Sequence, residues 1–456
     1  MKHVFSLSAI AVLLLGIQAG MAGVPEAEAN RLGADLTPIG AEKAGNAAGT
    51  IPAWDGGLSA PPPGVTIDPD KHLPDPFASE QPLYTVTSAN MAQYDANLTD
   101  GQKAMMAAYP DTYRLKVFPT HRACAYPDHV YQAIRRNAVN AQLTNDGNGV
   151  AGATMAASFP IPKTAREVLW NHELNYRGFK VWRDNASATP TASGDFTIET
   201  AVDQYIYSWS DPEMTNTEDM KNISYYFLKQ GHSPPSNSGA MTVFNNTLDQ
   251  VAEPRRVWNY RPGERKVKRT MGIGYDNIVP SSEGIRTSDT FQLFNGAGDR
   301  YDWELLGKME KIIPYTTNGF ASSDHQYKDI LQKGHVNQDF MRYELHRTWV
   351  IEGKLKPGLS HVIAARRKIY LDEDSWIAVA ADLFNPADNL SRIQEGHIFN
   401  YYDQPLCALG SEVIYDIKGG RYHIVGMRNQ QKPVRFEVVF AQSKFSPSGM
   451  RALGVR

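Results

Sequence analysis

The residues of this chain that could do chemistry are paired carboxylates and scattered histidines. Asp372 and Asp374 are such a pair, flanking Glu373 in "YLDEDSW". The run also falls where a tight turn between strands is expected, and Asp is favoured in turns for its own backbone hydrogen bonds. "NHELNY" opens like a zinc-protease helix with His172 and Glu173, but position 176 is tyrosine, so the second histidine ligand is missing. His172 is therefore read as a helix-surface residue. His121 and His129 lie eight apart around Cys124, too few ligands for a Cys/His site. "TNDGNG" has the composition of a calcium loop and reads as a turn. There is no Gly-x-Ser-x-Gly elbow, phosphate loop or Ser-x-x-Lys pair. The carboxylates of a glycosidase could lie anywhere, because their spacing is spatial. No catalytic residue, metal ligand or cofactor is marked.

The first residues set the compartment. "MKHVFSLSAIAVLLLGIQAGMAG" has Lys2, an apolar run from Val4 to Ile17, and Gly20 and Ala22 placed as signal peptidase requires. Residues 1-22 read as a signal peptide cut after Ala22, with Ala19 as second choice and an uncleaved anchor as the alternative. No later stretch is apolar for ~18 residues, so the mature chain is expected to lack a transmembrane segment and to lie in the periplasm. In an oxidising compartment Cys124 and Cys407, the two cysteines of the chain, are expected to form a disulfide; two buried free thiols are the alternative.

Export bears on the densest charge, "RRVWNYRPGERKVKR". Its cations are Arg255, Arg256, Arg261, Arg265, Lys266, Lys268 and Arg269, in a chain of net charge −3. Basic residues interleaved with aromatics suit nucleic acid, but export and a pI of 6.5 argue against that partner. The two runs around Pro262-Gly263 read as a hairpin with a type II turn. Arg256, Trp258 and Tyr260 fall on one face, Val257 and Asn259 on the other. The cations either cover apolar surface and deter edge pairing or meet anionic groups of lipids or an acidic partner.

Several elements must position these residues. Residues 23-85 are rich in Pro and Gly and read as an extended segment wrapping the body. Residues 86-182 read as helical. Thr99 with Gln102 and Thr164 with Glu167 stand at capping-box spacing, and Gly178 is the expected end of the second helix. Residues 183-456 read as consecutive strands with tight turns, an antiparallel meander. A lid helix is expected near 217-230, where Met220, Ile223 and Phe227 recur at spacings of three and four before Gly231.

The positive signal is aromatic. Trp258, Tyr260, Phe291, Trp303, Tyr343, Trp349 and Trp376 fall on expected strands or their margins. On a curved sheet such side chains converge and can line an apolar cavity; a filled core is the alternative. Arg347 shares a face with Tyr343 and Trp349, where it needs a partner or a cargo's polar head.

"RVWNYRPGERKVKR", "FNGAGDRYDWELLGKMEKIIPY", "RYELHRTWVIEGKLKPG" and "YLDEDSWIAVAADLF", with "LTPIGAEKAGNAAGTIPAWDGG" and "FPIPKTAREVLWNHELNYRG", closely resemble a proteobacterial family of exported proteins of unknown function. That family is described as similar to outer-membrane lipoprotein-sorting proteins, the Lol chaperone and receptor. The resemblance implies an α+β fold: a large curved antiparallel sheet, an incomplete half-barrel, covered by helices. It also implies a periplasmic, non-enzymatic carrier of a hydrophobic, lipid-like cargo. Its partners would be an inner-membrane permease of the resistance-nodulation-division (RND) type and a second exported protein. The alternatives are an adaptor with a filled core that uses its basic hairpin, and an envelope-polymer hydrolase.

Overall fold

Alternating apolar and polar residues, rich in Val, Ile, Tyr and Trp, favour paired strands through most of the C-terminal two thirds. The computed structural model describes residues 23–270 and 275–454; the expected signal peptide, 1-22, lies outside the described residues. The early strands are β1 (Tyr84–Val86), β2 (Leu115–Val117), β3 (Gln142–Thr144) and β4 (Gly149–Ala151). A first meander follows: β5 (Lys180–Ala188), β6 (Ile198–Tyr207), β7 (Ile223–Ser233), β8 (Met241–Thr247), β9 (Arg256–Arg261) and β10 (Lys266–Thr270). A second holds β11 (Tyr301–Pro314), β12 (Tyr343–Leu355), β13 (Arg366–Asp372), β14 (Ala378–Phe384), β15 (Leu390–Tyr401), β16 (Leu406–Asp416) and β17 (Arg421–Met427), with a short β18 (Arg435–Phe436) after it.

Each meander is antiparallel throughout, and β17 pairs with β5 to fuse them, Ile424 opposite Ala188. β18 continues that edge of β5 at Val181 and Trp182. The one parallel contact among the described strands joins Val117 of β2 to Tyr343 of β12. β11 approaches β14 and β15, three and four places away in the sheet order, so the sheet rolls over its own core. β10 ends it without a further partner among the described strands. The protein is thus α+β, a large, open, mostly antiparallel sheet with helices packed on it.

The helices are α1 (Glu26–Ala29), α2 (Asp100–Ala108), α3 (Asp128–Asn140), α4 (Ala165–Glu173), α5 (Tyr327–Ile330) and α6 (Pro447–Gly454). Both capping boxes form: Thr99 with Gln102 starts α2, and Thr164 with Glu167 starts α4. α4 stops at Glu173 rather than near Gly178: Leu174 leaves the helical conformation and caps it with its own N–H on the His172 and Trp170 carbonyls. The Trp209 indole donates to Asn175 O at 3.0 Å and Arg177 to His172 O at 2.9 Å.

Two expectations are corrected. Residues 217-230 form no lid helix. Thr217–Met220 is a single 3₁₀ turn, Lys221 and Asn222 take left-handed conformations, and β7 begins at Ile223. Ile223, Tyr225 and Phe227 also alternate at period two, and pairing on both sides with β6 and β8 decides for strand over the helical spacing. The basic hairpin forms, but not on a type II turn. Pro262 to Arg265 make a four-residue loop in which Arg265, not Gly263, is left-handed.

The N-terminal segment lies across the body. The Trp376 indole donates to Ile39 O, Leu58 N–H to Ala123 O, and the Tyr402 hydroxyl to Pro74 O. Cys124 and Cys407 are joined by a disulfide, tying the chain ahead of α3 to β16.

Candidate functional site

One face of the β5–β8 end is paved with aromatic rings. Alternation puts Val181 and Arg183 of β5 on it, then Tyr205 and Tyr207 of β6, then Tyr225 and Phe227 of β7, then Phe244 of β8. Tyr205 stacks on Tyr207 at 5.2 Å and meets Phe227 at 4.8 Å; Phe227 meets Phe244 at 4.5 Å. Trp209, just past β6, packs on Tyr207 at 5.0 Å and is 2% exposed. The cross-strand pairs among these, Tyr205–Phe227 and Phe227–Phe244, stabilise the sheet beyond the area they bury.

α4 lies over this face, and a cleft runs between them. Its two lobes share Arg177 and Gln292 as a common wall. The first is bordered by Trp170, Glu173, Trp209, Tyr225 and Phe294 and has about 10 Å³ of space. The second is bordered by Val181, Arg183, Tyr207, Tyr401, Leu409 and Phe436 and has about 40 Å³. That is room for a few waters and not for an acyl chain.

The charges of the cleft are unevenly satisfied. Arg177 donates to the His172 carbonyl and to Asn175 Oδ1 and lies 5.6 Å from the Trp209 ring and 5.9 Å from that of Tyr207. Arg183 lies over Tyr205 at 4.7 Å, bonds its hydroxyl at 2.5 Å and stands 3.6 Å from Asp203. Glu173 accepts no hydrogen bond among the described residues. Crowding by its neighbours pushes its carboxyl up to about 7, against the opposing pull of Arg166, Arg255 and Arg177.

His172, read as a helix-surface residue, is 1% exposed. Burial pulls its imidazole down to about 3, so it is neutral. Nε2–H donates to the Gln292 carbonyl at 2.8 Å, while Nδ1 accepts the Ala378 N–H at 3.1 Å. The ring thereby pins α4 both to the 292–295 segment and to β14.

The residues singled out from the sequence lie elsewhere. Trp258 and Tyr260 occupy the opposite face of β9, in an apolar cluster with Phe445 and Met450 beneath α6. Phe291 lies under Arg286 at 4.2 Å, and Trp303 meets Phe294 edge-on at 5.4 Å. Tyr343 is buried, its hydroxyl 3.2 Å from Glu395 Oε1. Trp349 stacks on Trp376 at 6.0 Å. Arg347 bonds Glu373 at 3.2 Å and the Ala44 carbonyl at 3.1 Å, so its charge is met within the chain. These eight are not brought into one cavity, and none borders the cleft. Of the cations, Arg255 turns toward the aromatic face, bonding Asn246 and Asn295 over the Phe244 ring. Arg256 pairs with Glu253. Arg261, Arg265, Lys266, Lys268 and Arg269 are exposed, with Glu264 on Lys268. What sequence reading passed over is "DQYIYSW", which sets Tyr205, Tyr207 and Trp209 at period two, and the arginines near it.

The turn acids are buried rather than open. Arg122 grips both oxygens of Asp374, at 2.9 and 2.7 Å. Ser375 Oγ donates to Asp372 Oδ2 at 2.6 Å, and Asp372 Oδ1 lies 3.7 Å from His346 Nδ1. Burial, with Asp374 beside it, pushes Asp372 up to about 7. Ligand atoms of His346, Asp372 and Asp374 come within 4.8 Å of one another and could hold a metal ion. That possibility was not legible in "YLDEDSW", because His346 joins from β12.

An uncharacterized protein of Pseudomonas aeruginosa is 41% identical over 448 residues, covering 98% of this chain and 97% of its own. Among solved structures, a DUF1329 family protein from Desulfovibrio piger is 14% identical, with 60% of this chain and 92% of that chain covered and a TM-score of 0.39. A putative outer membrane lipoprotein-sorting protein domain from Vibrio parahaemolyticus is 11% identical, with 63% and 96% covered and a TM-score of 0.40. The family described as "Protein of unknown function (DUF1329)" matches residues 85–451, and the chain belongs to that family.

Proposed function

We propose that the protein binds and carries a hydrophobic, lipid-like molecule in the periplasm without catalysing a reaction, and that the cleft beneath α4 receives it. The single observation behind this reading is the ring-paved face of β5–β8 meeting a cleft rather than closed packing. Removing an alkyl chain from water there contributes roughly 25 cal/mol per Å². With about 40 Å³ open, cargo must displace side chains or α4 to enter. Partnership with an RND-type inner-membrane permease and a second exported protein, implied by the sequence resemblance, belongs to the same reading. The test is mass spectrometry of an organic extract of protein purified from the periplasm. A stoichiometric apolar molecule is expected. A clean protein that also refuses fluorescent lipid probes overturns the reading.

The exposed cations of β9 and β10, at the open end of the sheet, favour a second reading: an adaptor for an acidic envelope protein. Neutralising Lys266, Lys268 and Arg269 together leaves lipid binding unchanged if the cleft is the working site. It abolishes partner capture if the hairpin is.

A further inference from the structure

The second lobe of the cleft is bordered by half-buried positive charge that the chain balances only in part. Arg177 has no carboxylate within 4.0 Å among the described residues; its oxygen partners are the His172 carbonyl, the Asn175 amide and the Tyr207 hydroxyl. Behind Tyr401, a wall of the lobe, stands Arg428, which is 3% exposed. Among the described residues, its one hydrogen bond from the guanidinium goes to the Tyr401 hydroxyl, and its Nε and second terminal nitrogen have no partner. Among the described residues it too lacks a carboxylate mate, and it rests 4.6 Å from the Phe399 ring. Arg183 adds a third guanidinium, which is ion-paired with Asp203 at 3.6 Å and has its Nε unpartnered among the described residues. The acid that borders this lobe, Glu412, is held by Arg286 and by the Gln292 N–H.

Unpaired charge in an enclosed, ring-lined site is costly unless something neutralises it. Guanidinium groups stacked on aromatic rings are also suited to planar, bidentate recognition of phosphate and carboxylate. Around them, Val181, Leu409, Val434 and Phe436 give the same lobe an apolar wall. We infer that the ligand is an anionic amphiphile whose phosphate or carboxylate head lies between Arg177 and Arg183 and whose alkyl body runs against that apolar wall. This inference rests on the carrier reading, and it adds the head-group chemistry.

The test is calorimetry on the full mature chain with dodecyl phosphate, dodecyl maltoside and inorganic phosphate, the amphiphiles kept below micelle formation. Dodecyl phosphate is expected to bind at least about tenfold more tightly than the maltoside, and inorganic phosphate far more weakly than either. Arg177→Gln and Arg183→Gln should each remove about tenfold from dodecyl phosphate and leave the maltoside within about twofold. Arg177 also ties down the end of α4, so Arg183→Gln decides where Arg177→Gln fails to fold. Equal affinity for the two heads, or equal losses for both in the variants, overturns the anionic-head inference and leaves the carrier standing. Inorganic phosphate binding as tightly as dodecyl phosphate overturns the alkyl part. Binding of none of the three overturns both.

Discussion

Glu173 and Arg177 stand four residues apart and border the same lobe of the cleft, yet no hydrogen bond or ion pair joins them. Arg177 turns back to the His172 carbonyl and the Asn175 amide, leaving the Glu173 carboxylate with distant cations alone. The sign of the pH effect follows. The folded chain holds the Glu173 proton up to about pH 7, whereas the ordinary carboxyl gives it up near 4.5. Stability from this group is therefore full below pH 4.5, falls as the pH rises to 7, and stays low above that. Glu173→Gln should match the wild type at pH 4 and be more stable by about 1 to 2 kcal/mol at pH 8, less than full linkage because the carboxylate is partly wet. Thermal melts across that range check it. A difference independent of pH would show that Glu173 does not titrate as described.

The Arg122–Asp374 pair predicts a large loss. Both side chains are almost wholly buried, and Glu373 lies 3.4 Å from the same guanidinium. Arg122→Met strands carboxylates in the core and should cost about 3 to 5 kcal/mol in urea unfolding. Arg269→Met, on exposed β10, should stay within about 0.5 kcal/mol. Equal effects would mean that the buried pair is solvated or replaceable.

The two faces of the β5–β9 sheet should separate binding from stability. Tyr207→Ala removes a ring from the cleft and should weaken lipid-probe binding severalfold. Trp258→Ala opens the cluster under α6 on the far side and should destabilise by about 1 to 2 kcal/mol while leaving probe affinity unchanged. Probe titration alongside melting measures both. Loss of binding in Trp258→Ala alone would move the site to the α6 side.

Local chemistry made part of this legible in advance. Thr99 with Gln102 and Thr164 with Glu167 satisfy orphan helix N–H groups within four residues, so the sequence suffices to see them. The large antiparallel sheet was legible because period-two alternation recurs between turn residues. The cleft was not, because Tyr205 and Tyr207 alternate just as core residues do. What gives their face a cleft is α4 above and the pairing of β5 with β17, whose residues stand more than 200 positions apart in the chain. The segment 217-230 carried both periods at once, and its neighbours in the sheet chose. His172 was misplaced for a related reason: its partners, Gln292 and Ala378, lie far along the chain.

The disulfide supports the last prediction. It closes a loop of 283 residues, for which the chain-entropy treatment gives about 5 kcal/mol. The segment around Cys124 is held by more than sulfur. Arg122 anchors it to the β13–β14 turn, and the Asn400 side chain donates to Ala123 O at 2.6 Å. Reduction should therefore leave the protein folded at 25 °C and lower its stability by about 2 to 4 kcal/mol. Because Arg122 and Cys124 fasten the same stretch, freeing one loosens the other. Arg122→Met combined with reduction should then cost less than the sum of the two, by about 0.5 to 2 kcal/mol in a double-mutant cycle. Strict additivity in urea unfolding would mean that the two restraints act on separate parts of the fold.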